Sequence, residues 1–136
     1  MRFKFFILYI IVSFSVISCE DPAVIIRKDL NAGIEELHNG RYTKAIHHFK
    51  DVLEIDSTQS EAHHYLGLVY DNQQKYSMAM EEYNKAIHFN SEYGEAYKSR
   101  AQLWFFMGDR DKSCADYIKA EDLGVKNLSN YTRHCR

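Results

Sequence analysis

The sequence predicts an all-α fold: a short solenoid of about three helical hairpins, closed by a short C-terminal capping helix. Two observations carry this expectation. Residues of matching size recur at a 34-residue step, and within each step the apolar residues fall at helical spacing. A third observation, a charged and then apolar N-terminal stretch, sets the first eighteen residues apart from the fold.

Taken in chain order, residues 1–18 come first. Arg2 and Lys4 precede an apolar run from Phe5 to Ile17 that only Ser13 and Ser15 interrupt. A helix needs about 20 apolar residues to cross a bilayer, so this run is too short, and its length and flanks are those of a secretory signal. Val16-Ile17-Ser18-Cys19 resembles a bacterial lipobox. The resemblance implies cleavage after residue 18, lipid on Cys19, a lipidated tether over 19–25, and a place in the bacterial cell envelope, held to the inner or the outer membrane. Acyl chains anchor by burying methylenes at about 0.8 kcal/mol each. The remaining chain keeps 15 of the 17 Lys and Arg, having lost Arg2 and Lys4, against 19 Asp and Glu, a net charge near −4. That balance argues against a nucleic-acid partner, which needs clustered cations.

The repeat begins near residue 26. Ala45, Ala79 and Ser113 are spaced 34 apart, as are Phe49, Tyr83 and Tyr117, and Gly33, Gly67 and Ala101. Val52, Ala86 and Ala120 make a further series, whereas Tyr42 and Tyr76 are followed by Arg110. In the middle unit Ala62, Leu66, Val69 and Tyr70 lie on one helical face, and Tyr76, Ala79, Tyr83, Ala86 and Ile87 on another. Between them stands the break Gln73-Gln74-Lys75, whose counterparts contain Asn39-Gly40 and Gly108-Asp109. Each unit is therefore two antiparallel helices of about a dozen residues.

Leu66-Gly67 with Tyr70, then Ala79 with Tyr83, resemble the signature of the tetratricopeptide repeat, L-G-x2-Y followed by A-x3-F. Glu61-Ala62 and Glu95-Ala96-Tyr97 look like its openings. The resemblance implies a tetratricopeptide-type α-solenoid with repeats over 26–59, 60–93 and 94–124, and a cap over 125–136. Small residues are expected where helices approach closely, with aromatics filling the wider spaces between layers. The repeat-ending proline is absent, with Ser57 and Ser91 in its place, which predicts less rigid joints. Leu128 and Tyr131 predict a short helix over about 127–134, covering an apolar face that the last repeat would otherwise expose.

With Cys19 assigned to lipid, Cys114 and Cys135 remain. In an exported protein they could form a disulfide, closing a loop of about 20 residues and stabilising by about 3 kcal/mol. The alternative is two free thiols, one packed between helices.

No catalytic spacing is present: no G-x-S-x-G, no P-loop and no H-E-x-x-H. The expectation is a chain with no catalytic residues, no metal and no cofactor. Among the seven histidines, His47-His48 and His63-His64 are adjacent pairs, and adjacent helical residues do not share a face. Pairing across helices, such as His48 with a histidine of the next hairpin, stays open, ranked below ordinary hydrogen bonding.

The resemblance implies a concave face lined by the first helix of each repeat, binding a peptide or protein segment. Its candidate residues are Leu30, Ile34 and Leu37 from the first hairpin, His64, Leu68 and Asp71 from the second, and Lys98, Gln102 and Phe105 from the third. Repeats that clamp a chaperone's terminal carboxylates use Lys, Asn and Arg. The matching positions are Leu30, Ile34, Tyr65, Glu95 and Ser99, and none fits. The functional expectation is a membrane-anchored adaptor or scaffold. The alternative is an accessory subunit or ligand-binding lid for an envelope enzyme or transporter, with His63, His64 and Tyr97 in a closed pocket.

Overall fold

The computed structural model describes residues 20–133 and residue 135. The signal segment 1–18 and the lipidation candidate Cys19 lie outside the described residues. The regular elements are α1 Pro22–His38, α2 Tyr42–Ile55, α3 Ser60–Asn72, α4 Tyr76–Phe89, α5 Gly94–Phe106, α6 Arg110–Asp122 and α7 Ser129–Thr132. No strand occurs among the described residues, and no helix among them is long and apolar enough to cross a membrane.

The chain enters α1 earlier than the periodicity suggests. Asp21 accepts a hydrogen bond from the Ala23 amide at 2.9 Å, and Pro22 occupies the first helical position, where its fixed φ suits the helix and its missing N–H is not needed. Residues 22–25, expected in the tether, are therefore helical. At the other end, Asn127 adopts φ 65° and the capping helix shrinks to Ser129–Thr132.

In each hairpin the first helix, A (α1, α3 or α5), turns into the second, B (α2, α4 or α6), by one scheme. Gly40, Gln74 and Gly108 stand 34 apart, with φ of 70°, 61° and 86°. Behind each, the next amide reaches back to the last turn of the preceding helix: Arg41 to Glu36, Lys75 to Tyr70 and Asp109 to Trp104. These left-handed closures satisfy carbonyls that a helix end leaves open. Gln74 holds a conformation that glycine adopts more readily. The B-to-A joints need no proline. Asp56 accepts from the Thr58 amide at 2.9 Å and its hydroxyl at 2.7 Å, and Asn90 accepts from the Glu92 amide at 3.0 Å. Side-chain turns of this kind fix the backbone where looser joints were expected.

Within a hairpin the decisive contact is an aromatic ring on a glycine. A Cβ on Gly33 would lie 2.5 Å from the Phe49 ring, and one on Gly67 would overlap Tyr83. The expected division of labour therefore changes: these rings fill the space inside the hairpin, not only the space between layers. Phe49 does both, since it also stacks on Tyr65 of the next hairpin at 5.5 Å. Ala45, Ala79 and Ser113 are buried, and Ser113 donates its hydroxyl to the Ala101 carbonyl at 2.8 Å. A core runs from Leu30 to Leu103, followed by a smaller one of Ala101, Tyr117, Ala120 and Leu128 beneath the cap.

Helix α1 touches α3, and α3 touches α5, whereas α2, α4 and α6 do not touch one another. The stack therefore curves toward its A helices, which line the inside.

Candidate functional site

The three candidate positions on each A helix repeat in register: 30/64/98, 34/68/102 and 37/71/105. The structure gives each series a different environment. The first lies at the joint with the following hairpin. Leu30 and His64 are each 6 % exposed, so both are buried at the joint and neither lines an open face as expected. His64 Nδ1 meets the Tyr93 hydroxyl at 3.0 Å, and its Nε2 meets the Ser99 hydroxyl at 2.9 Å, tying α3 to the next hairpin. Burial lowers its pKa to about 4, and two hydroxyl partners, each able to donate or accept, suit a neutral ring. Lys98, in the last hairpin, has no such cover and pairs with Glu95 at 2.9 Å.

In the other two series, Ile34, Leu37 and Leu68 are half-buried and pack on the core. Asp71 is half-buried, with the Tyr83 hydroxyl 3.5 Å from its Oδ2. Desolvation raises its carboxyl above the usual range, against the lowering effect of that hydroxyl. Gln102 and Phe105 are exposed. The nine candidates therefore form no continuous groove; the accessible part of the face is concentrated in the third hairpin.

There the structure adds residues that periodicity did not select. Phe105, Phe106 and Met107 are three consecutive exposed apolar residues, at 61 %, 67 % and 54 %. Phe106 leans on Tyr76 at 4.9 Å. Beside Phe105 opens a cleft of ≈ 530 Å³, lined among others by Arg110, Asp111, Tyr117, Asn130 and Tyr131. The Cys114–Cys135 disulfide lies on its wall, with Cα atoms 5.3 Å apart, and links α6 to the segment after α7. The ring of Tyr131 stacks on Tyr117 at 4.7 Å. One signal in the sequence marks this region: five large apolar residues in a row, Leu103 to Met107, precede Gly108 and cannot all face one side of a helix.

The alternative pocket does not assemble. His63 Nδ1 faces Glu82 at 2.7 Å and its Nε2 donates to the Ser57 carbonyl at 3.1 Å, while the adjacent His64 points to Tyr93 and Ser99. Tyr97 instead lies under the Arg100 guanidinium, 5.5 Å from its centroid. Burial would raise the Glu82 carboxyl, but hydrogen bonds from His63 and Lys85 outweigh it and hold it below its usual range.

A sequence model described as the tetratricopeptide repeat matches residues 60–93. A TPR repeat-containing protein of Methanocaldococcus jannaschii is 28% identical over 105 residues, 76% of this chain but only 18% of that relative. The chain thus spans less than a fifth of that protein's length. Among solved structures, the second TPR domain of human RPAP3, in complex with the HSP70 peptide SGPTIEEVD, is 20% identical. It has a TM-score of 0.72 over 85% of this chain and 98% of that one. The Yersinia enterocolitica secretion chaperone SycD, in complex with a peptide of the translocator YopD, is 13% identical. Its TM-score is also 0.72, over 81% and 91%. At these identities the likeness speaks to fold. The three hairpins carry the tetratricopeptide-repeat fold, and residues 60–93 are the repeat that its sequence model matches.

Proposed function

We propose that the chain is a lipid-anchored interaction module of the bacterial cell envelope, an adaptor that holds a segment of a partner protein against its third hairpin. The observation that carries this is the run Phe105-Phe106-Met107, exposed beside a cleft lined by Tyr117 and Tyr131. Contiguous apolar residues exposed in this way mark a contact surface, because a partner that covers them removes apolar area from water. Arg110 and Asp111 at the cleft edge supply polar contacts of both signs, so the favoured partner segment is apolar at its centre and mixed in charge at its flanks. Solved relatives of the fold hold peptides, which supports the mode of binding and leaves the ligand different. The positions that would clamp a terminal carboxylate carry no cation: Leu30 and Ser99 are buried, and Glu95 is itself an acid.

The anchor reading rests on Cys19 and the segment before it. Metabolic labelling with a radioactive fatty acid tests it: label on the wild type and none on Cys19→Ala is expected, and label on both would reject it. The binding reading is tested by a photo-crosslinking amino acid at Phe105 in the protein's own cells. A discrete adduct is expected, absent when the crosslinker stands at exposed Glu54 on the opposite hairpin. Equal adducts at both positions would reject the assignment of the site.

A further inference from the structure

The first hairpin holds a side-chain cluster that the proposed binding site does not use. Asp29 on α1 and His48 and Asp51 on α2 bring their ligand-capable atoms within 4.8 Å of one another. His48 Nδ1 lies 3.2 Å from Asp29 Oδ1, and His47 Nδ1 lies 2.7 Å from Asp51 Oδ2. The side chains are 23 % exposed at Asp29, 33 % at His48 and 37 % at Asp51, so solvent reaches the cluster. A shallow depression lined by Thr43, Lys44, His47, His48 and Asp51 opens beside it.

The repeat itself supplies a control. Positions 29, 48 and 51 recur 34 residues on as His63, Glu82 and Lys85. There His63 and Glu82 meet at 2.7 Å, and Lys85 Nζ adds a contact to Glu82 at 2.9 Å. Both hairpins thus cross-link their helices at the same place, with histidine and carboxylate having exchanged sides. In the third hairpin the counterpart of His48 is Asp116, which Arg100 grips through both oxygens at 2.7 and 2.8 Å. Hairpins two and three each bring a Lys or Arg to the carboxylate. In hairpin one a second carboxylate, Asp51, stands where Lys85 stands, and histidines are the partners of both acids.

We infer that Asp29, His48 and Asp51 form a binding site for one divalent cation of the zinc class, which supplies the positive charge that Lys85 and Arg100 supply in the other hairpins. One imidazole nitrogen and two carboxylate oxygens are borderline ligands that suit Zn²⁺; calcium and magnesium take oxygen-only shells. Ligands about 2.0–2.1 Å from a tetrahedral ion lie roughly 3.4 Å apart, close to the His48–Asp29 spacing. His47 is a positioning residue: its ring holds Asp51 from behind, as outer hydrogen bonds do for metal-ligating carboxylates. Lys44 borders the depression, but it is exposed on a flexible stem and pairs with neither acid. This inference departs from the expectation of no metal, and the cross-helix partner of His48 is a carboxylate of its own hairpin, not a histidine of the next.

Calorimetric titration of the full chain with zinc chloride tests the site. One ion per chain at micromolar affinity or tighter is expected, with Asp29→Asn and His48→Ala each weakened about 100-fold and His47→Ala about 10-fold. Zinc should raise the melting temperature of the wild type and leave that of His48→Ala unchanged. Far-UV circular dichroism checks that all three variants remain helical; Asp51→Asn replaces Asp29→Asn or His48→Ala if either does not. No binding below millimolar zinc, or one-ion binding that survives in the variants, would overturn the site and assign any affinity to other surface histidines.

Discussion

The second and third hairpins have the same backbone and opposite chemistry. In the second, the joint is closed by Tyr83 lying on Gly67, with Leu66, Val69 and Ala79 around it, all buried. The end of α3 and the first turn residue are polar, reading Asp71-Asn72-Gln73. In the third, Ala101 replaces the glycine, and α5 is held to α6 by the Arg100–Asp116 pair and by Ser113 bonding the Ala101 carbonyl. A disulfide then ties α6 to the segment after α7. The counterparts of Asp71, Asn72 and Gln73 are Phe105, Phe106 and Met107, all turned outward. The second hairpin has a polar link of its own, His63 to Glu82, so the third is set apart by its covalent link and by the apolar run at its surface. The last hairpin leaves three consecutive apolar residues at the surface where the middle one carries polar residues.

The largest test of that contrast is Arg100→Ala. It strands Asp116, whose side chain is 10 % exposed, and should cost about 3–5 kcal/mol in urea unfolding. The double variant Arg100→Met with Asp116→Leu should recover most of the loss, because the pair's net value is far below the cost of breaking it. Full loss in the double variant would show that the pair does more than fill the joint.

Next comes pH, through the joint between the two hairpins. His64 has a folded pKa of about 4 against 6.5 when unfolded, so the unfolded state takes the proton first as pH falls. Its contribution is complete above about pH 6.5 and is lost as the pH drops toward 4, by about 3 kcal/mol at most. His64→Gln should start less stable at pH 7 and show a flatter profile over that window. Parallel profiles would remove His64 as the cause.

A smaller effect is expected from exchanging the small residues. Gly67→Ala drives a methyl into Tyr83 and should cost about 2 kcal/mol, and Ala101→Gly, which loses helix propensity and one buried methyl, should cost about 2 kcal/mol as well. A neutral Gly67→Ala would show that the Tyr83 ring yields freely and would erase the distinction between a ring-on-glycine joint and the alanine joint of the third hairpin. The smallest change has the opposite sign. Gln74→Gly should stabilise by about 1 kcal/mol, since Gln74 holds φ 61° at a place where the first and third hairpins use glycine. Thermal unfolding resolves a shift of that size.

The hairpins were legible because their constraints are local and repeat: glycine under a ring, alanine at a joint, a left-handed residue at each turn. Helical periodicity gives a face, but it does not say what that face meets. Leu30 and His64 share a series with Lys98, yet the first two are covered by the next hairpin and the third is not. The cap was legible in Leu128, which is buried, but not in its length, because Asn127 breaks the backbone before a full helix can form. The Asp29–His48 contact needs two helices in register, and only its repetition as His63–Glu82, again 19 residues apart, signals it in the sequence.

Since every A helix runs the same way, the molecule has two distinct edges. The start of α1 shares one with the Asp56 turn, and the end of α5 shares the other with the start of α4. A 13-residue helix separates edge from edge by about 20 Å. A chain held near residue 20 therefore carries its exposed aromatic tip at arm's length from the point of attachment, like a peg set in a board. Reach, then, is fixed by helix length, and lengthening α5 and α6 by one turn would move the tip outward by about 5 Å without altering its chemistry.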